Sequence, residues 1–237
     1  VSEAEKEDKD ELHNIIIDLL IAAYPQKSKE DFKVQPRTVG VHFHTSGLDI
    51  DLVPVVPIKN QPDFGWQLSS GDAPPVKTNI QGQLNFIKGR RKQDKYFKST
   101  VRILKHWRNC NQLEKLKSFT IELIVCYLLD RDGVAQRLED AVNRFFLFLS
   151  QTHLQEIIYF QENGNVKNFP KDAVIVLDPV NAENNVTMRL TNEERVEIVE
   201  AAKKAWDTIS YAQQIQNKGD TIELWKEILG RSFRIED

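Results

Sequence analysis

Leu48-Asp-Ile-Asp-Leu-Val-Pro54 places two carboxylates, Asp49 and Asp51, two residues apart. On a strand that spacing puts both on one face, with apolar residues on the other. Acids within an apolar strand cost free energy unless they reach water, find a partner or bind a metal. Two readings follow: a half-exposed edge strand showing carboxylates to water, or a hard-cation site. Mg²⁺ favours a few carboxylate oxygens together with substrate phosphates. One D-x-D strand rarely supplies every ligand.

A second concentration of chemistry lies downstream. Lys88, Arg90, Arg91, Lys92, Lys95, Lys98, Arg102, Lys105 and Arg108 face Asp94 alone, in a chain with a net charge of −3. This is a local field for an anion or a solvated helix face. Lys98, Arg102 and Lys105 fall on one helical face, while Val101, Leu104 and Trp107 make an apolar stripe. Cations grouped in that way suit a nucleoside triphosphate or a nucleic acid, and charge alone does not choose between them. Further on, Ser118 and Phe119 open an apolar helix. A serine there either caps the helix or, with the free backbone N–H groups, meets a phosphate. Phe119 is either core or a platform for a base.

These residues need elements to hold them. Leu12, Ile15, Ile16, Leu19, Leu20 and Ala23 recur at helical spacing, and Tyr24-Pro25 ends that helix. Val39, Val41 and Phe43 alternate with Gly40, His42 and His44. A turn at Thr45-Ser46-Gly47 then leads to a strand over 48–56, giving an antiparallel pair. His42 and His44 read as ordinary strand residues. Residues 57–79 read as a long loop around a short strand at 66–68. Helices are expected near 80–92, 95–110, 117–130, 134–150, 191–216 and 220–229. Thr191 with Glu194 makes a capping box at the start of one of them. Ala173 to Leu177 reads as an isolated buried strand. Strands first and helices after predict an α+β fold, with a β-containing part over 1–75 and a mainly helical part over 76–237.

Composition narrows the class. With 237 residues, 41% hydrophobic and 28% charged, the chain can bury a sizeable core. Ten Gly and nine Pro exclude a collagenous or low-complexity chain. No apolar run approaches the roughly 20 residues of a membrane span. The two cysteines, Cys110 and Cys126, allow no disulfide framework and no four-cysteine zinc site. A cytoplasmic setting without membrane attachment is expected.

Taken together, the motifs resemble one family. Thr100-Val-Arg-Ile-Leu-Lys-His-Trp-Arg-Asn-Cys110 and Leu116-Lys-Ser-Phe-Thr-Ile-Glu-Leu-Ile-Val-Cys-Tyr127 look like the paired helices of oligoadenylate synthetases. Those enzymes carry I-R-L-V-K-H-W and A-L-E-L-L-T-V-Y-like stretches. The Asp51 strand resembles their F-D-V-L-P-A segment. Val176-Leu-Asp-Pro179 with Asn184, Asn185 and Val186 resembles their late L-D-P…N segment. The loop Gly71-Asp-Ala-Pro-Pro-Val-Lys-Thr78 and Phe86-Ile87-Lys88 look more like bacterial relatives, the CD-NTases of anti-phage CBASS systems. The likeness runs over about residues 35–190.

The resemblance implies a polymerase-β-like nucleotidyltransferase sheet lobe and a helical lobe with a nucleotide cleft between them. It implies a template-independent nucleotidyltransferase that makes a cyclic di- or trinucleotide messenger from ATP or other NTPs with Mg²⁺ or Mn²⁺. Asp51 would be the third metal ligand and would help deprotonate the acceptor hydroxyl; Asp49 matches a variable position. Lys105 and Ser118 would hold the donor triphosphate, Phe119 would stack on its base, and Asp178 would sit near the cleft. The likeness implies no zinc, and it allows a HORMA-type activator protein. DNA or RNA could act at the basic 88–108 face.

Two further readings stand beside this one: a linear 2′–5′ oligoadenylate synthetase switched on by double-stranded RNA, and a catalytically inactive binding homologue. The family also has an earlier Gly-Ser followed after about ten residues by a first D-x-D, and that combination does not occur in this sequence. Ser69-Ser70-Gly71-Asp72 has the wrong order and lies after the Asp51 strand. The sequence starts at Val1 and its sole methionine is Met188, so those motifs are expected upstream, and the chain as it stands is expected to be inactive.

Overall fold

The structure is a computed structural model and describes residues 14–35, 37–67 and 75–234. The charged lead-in, Leu12 and the 68–74 stretch, which holds Ser69 to Asp72 and the first half of the bacterial-looking loop, lie outside the described residues. The chain divides into two compact units, Val1–Gln81 and Gly82–Asp237.

In the first unit a helix, α1, runs over 14–23. It stops where expected: the Tyr24 N–H still reaches Leu20 O at 2.8 Å, and Pro25 follows. Its more covered face is Ile16, Ile17, Leu20 and Ile21, while Ile15 and Leu19 are exposed. The expected apolar face is therefore rotated by one position.

β1 (Phe32–Val34), β2 (Val39–Phe43) and β3 (Leu48–Leu52) form an antiparallel sheet in that order. The expected alternation holds on β2, where Val39 and Val41 are buried. On β3 every residue is exposed, so the apolar face opposite the carboxylates is not a core face here.

The strand expected over 48–56 breaks at Val53-Pro54. Proline has no N–H to give the ladder, and the chain moves into a second sheet. That sheet is β4 (Val55–Ile58), β5 (Gln61–Gln67) and β6 (Val76–Thr78), all antiparallel. It replaces most of the expected long loop. Pro57 and Pro62 masked it in the sequence; both flank a register shift between β4 and β5, a place where proline is tolerated. Gly65 is required there, because a Cβ would lie 2.1 Å from Val55 Cγ1.

The second unit is built from α2 (Ile80–Gln93), α3 (Phe97–Cys110), α4 (Ser118–Asp132), α5 (Leu138–Thr152), α6 (Asn192–Ala212) and α7 (Lys218–Leu229). All lie near their expected positions. α4 is buried around most of its circumference, as its nearly uninterrupted apolar sequence demands. α3 is amphipathic and turns Val101, Leu104 and Trp107 inward. Trp107 meets Phe146 edge to face at 4.8 Å, and Phe146 meets Phe145 at 5.8 Å. Such pairs add to their area burial. The Thr191 capping box is present: Glu194 N–H donates to Thr191 Oγ1, and Thr191 N–H donates to Glu194 Oε2.

Ala173 to Leu177 does not form the expected strand. Only β7 (Leu177–Asp178) pairs, with β8 (Asn181–Asn185), and Val176 makes a single bridge to Ile158. The reason is Asn185. Its side-chain oxygen accepts from the N–H groups of Val176 and Thr187, and its Nδ2 donates to Val174 O and Asp172 Oδ2. A side chain takes the bonds a neighbouring strand would take. Among the described residues no helix is long and apolar enough to cross a membrane.

Candidate functional site

The β2–β3 register places His42 opposite Asp49 and Gly40 opposite Asp51. Asp49 Oδ1 lies 2.6 Å from His42 Nδ1. Asp51 Oδ1 accepts from Gln35 Nε2 at 3.3 Å. His42 thus partners one acid, which reading it as an ordinary strand residue did not anticipate. Gly40 leaves room beside Asp51, since a Cβ there would approach its Oδ1 to 3.2 Å. Among the described residues no group of three or more His, Cys, Asp or Glu could hold a metal ion. Two exposed carboxylates on one strand face fit part of a Mg²⁺ site, with hard oxygen donors. The described residues do not complete one.

On the second unit, α3 and α4 run a polar seam along the edge of their shared core. Lys105 on α3 donates to Glu122 Oε1 on α4 at 2.5 Å. One turn further along α3, Arg108 Nη1 donates to Ser118 Oγ at 3.1 Å and to Leu116 O at 3.3 Å. Lys105 and Arg108 are three apart and Ser118 and Glu122 four apart, so each pair shares a helix face. The capping position of α4 is Lys117, with no side-chain cap. Ser118 is therefore not a cap; its hydroxyl sits at the helix start, where backbone N–H groups have no intrahelical partner. Phe119, beside it, is half-buried and packs on the core with the rest of its ring open. The structure thus brings together Lys105, Ser118 and Phe119, and adds Arg108 and Glu122. Arg108 was visible in the sequence only as one cation of a run; the signal that singles it out is its three-residue spacing from Lys105.

Asp178 has a different setting. Its side chain is fully buried. It accepts from Gln83 Nε2 at 2.5 Å, Asn184 Nδ2 at 3.1 Å and Val180 N–H at 3.1 Å. Burial pushes its pKa up, against those hydrogen bonds. As placed, it ties α2 to the β7–β8 turn.

The basic run divides. Lys105 and Arg108 belong to the seam. Arg90 is committed elsewhere: it binds Asp130 on α4 at 2.8 Å and Glu162 at 2.6 Å, and stacks over Phe86 at 3.7 Å. Lys88, Arg91, Lys92, Lys98 and Arg102 are exposed, and none has an ion pair among the described residues. Beyond Arg90 lies an open groove of about 700 Å³ lined by Tyr127, Arg131 and Tyr159 among others. Burial and a hydrogen bond to Glu156 push the Tyr127 hydroxyl up to about 12.

No family model matches the chain. Individual proteins do. The CBASS oligonucleotide cyclase CdnC of Escherichia coli (strain KTE188) is 40% identical over 222 residues, which span 94% of this chain and 69% of that protein. The cyclic AMP-AMP-AMP synthase of Escherichia coli (strain MS 115-1) is 35% identical over 231 residues, spanning 94% and 72%. Solved structures of E. coli MS115-1 CdnC superpose well. The form with ATP gives a TM-score of 0.82 at 35% identity over 94% of this chain and 72% of that one. The complex with HORMA-deltaN gives 0.81 at 33% identity over 99% and 75%. The α+β nucleotidyltransferase fold expected from the motifs is the fold of these neighbours. With that identity and coverage, the chain belongs to the CdnC group of CBASS oligonucleotide cyclases, within the CD-NTase nucleotidyltransferases.

Proposed function

We propose that this protein joins nucleoside triphosphates into a cyclic oligonucleotide, with ATP as the first candidate substrate, in anti-phage signalling. The observation that carries the reading is the α3–α4 seam: two cations and a hydroxyl at a helix start converge beside a half-open aromatic ring. Lys105 and Arg108 supply charge for a triphosphate, Ser118 a hydrogen bond, the α4 start its free N–H groups, and Phe119 a face for the base. Asp178, buried between α2 and the β7–β8 turn, would support the helical side of the nucleotide site from there. The relatives are named as a cyclase and a cyclic AMP-AMP-AMP synthase, which favours a cyclic product over a linear 2′–5′ one.

Asp51, with Asp49 beside it, would contribute oxygen ligands to Mg²⁺ or Mn²⁺. Such ions, when bound, favour ionisation of the attacking hydroxyl and stabilise the departing pyrophosphate. A HORMA-type protein is the proposed partner, since one neighbour is solved with HORMA-deltaN. The unpaired cations of α2 and α3 are the proposed contact for DNA or RNA.

The test is turnover by the protein in its full natural length, with Mg²⁺ or Mn²⁺, labelled NTPs and a HORMA-type partner. A phosphatase-resistant product is expected. Asp51→Ala should abolish it, and Lys105→Ala should raise KM for the NTP at least tenfold. A product that phosphatase degrades would overturn cyclisation. Salt-sensitive nucleic-acid binding with no NTP binding would support the non-catalytic reading.

A further inference from the structure

We propose that Glu122 is a positioning residue that occupies Lys105 while the triphosphate site is empty and is displaced when a triphosphate binds. The inference rests on the assignment of Lys105 to the donor triphosphate. Glu122 stands one helical turn after Ser118 on α4, and its Oε1 accepts from Lys105 Nζ at 2.5 Å. Both side chains are largely but not fully shielded, with 31% and 24% of the lysine and glutamate side chains exposed. The exposed part leaves the pair within reach of an incoming anion.

The geometry makes the two anions rivals. A phosphate oxygen bonded to Lys105 Nζ lies about 3 Å from it. With the lysine in place, that oxygen is at most about 5.5 Å from the Glu122 carboxylate. A triphosphate carries several negative charges, so its repulsion by Glu122 works against keeping the Lys105–Glu122 pair once it is bound. Arg108 has no such rival: its partners in the seam are the Ser118 hydroxyl and a carbonyl, both neutral. In the empty site Glu122 keeps Lys105 ordered and its charge satisfied. In the filled site it keeps binding from becoming too tight, which favours release of the pyrophosphate and turnover.

The experiment measures binding of ATP, inorganic tripolyphosphate and adenosine by titration calorimetry. It compares the protein with Glu122→Gln, Lys105→Met and the double variant. Glu122→Gln should bind ATP and tripolyphosphate about five- to tenfold more tightly, with adenosine unchanged. That gain should vanish in the Lys105→Met background. In turnover by the full-length protein, Glu122→Gln should lower KM without raising kcat, and Glu122→Asp should restore most of the original KM. Unchanged or weaker ATP binding by Glu122→Gln, with Lys105→Met still weakening it, overturns the proposal and leaves the assignment of Lys105 standing. ATP binding that is indifferent to Lys105→Met overturns both. A gain that persists without Lys105 also overturns the proposal, because the glutamate would then act on the ligand directly.

Discussion

The two candidate regions rest on different foundations. Lys105 and Ser118 stand on helices whose other faces are locked in a core: Leu104, Trp107 and Ile121 are at most 1% exposed. Asp51 stands on a strand with no buried residue, held by its register with β2 and by contacts from His42 and Gln35. The lesson is that the seam proposed to hold the triphosphate inherits its geometry from core packing. The carboxylate strand gets its geometry from a hairpin ladder and a few polar contacts. Injury to the core should therefore reach the seam, whereas the carboxylate strand should tolerate loss of its apolar side chains.

The largest effect expected is from Trp107→Ala, which removes the ring that Phe145 and Phe146 pack against. A loss of about 3–5 kcal/mol is expected, read by chemical denaturation, with nucleotide binding falling in parallel. If the variant loses less than Leu48→Ala does, the comparison collapses. Next is Arg90→Leu, which leaves Asp130 and Glu162 without their cation. It should cost about 2–4 kcal/mol.

A pH series sharpens the same contrast. Burial would raise the Glu162 pKa, but the hydrogen bond and charge of Arg90 overcome it and hold it below the usual range. A depressed folded pKa means a contribution that is complete above the unfolded value, near 4.5, and lost as pH falls through the folded one. Asp178 works in the opposite sense, because burial raises its pKa and protonation relieves the penalty. Thermal melts from pH 6 to pH 3 should fall less steeply for Glu162→Gln than for the unaltered protein. A steeper fall would refute the Arg90 account. The smallest effect expected is at β3: Leu48→Ala should change stability by about 0.5 kcal/mol or less. Asp51→Asn should leave the melting temperature within a degree or two, about the same size, while abolishing activity in the full-length protein.

The helical half was legible in the sequence because its signals are local and redundant. α3 has its apolar stripe, α4 its continuous apolar run, and α6 its capping box, and each agrees with the packing found. The sheet half was less legible. Pro57 and Pro62 read as loop, yet they sit at a bulge, where a missing N–H does no harm. The 173–177 segment has the composition of a strand, but the Asn185 side chain takes its hydrogen bonds, and no periodicity reveals that. For the site, residue type and spacing marked Lys105, Ser118 and Phe119 as candidates, and the family resemblance gave them their proposed roles. The Glu122 and Arg108 contacts depend on how α3 lies against α4, and the His42 contact on the exact register of the hairpin.

The Arg90 clamp also bears on how the protein folds. Its two acids lie 40 and 72 residues further along the chain. Closing loops of that length brings no return until α4 and the turn holding Glu162 are both in place. The clamp is then a late contact, absent from the folding transition state, and Arg90→Leu should accelerate unfolding while leaving the folding rate nearly unchanged. Arg90 would thus set how long the helical unit stays folded rather than how fast it folds.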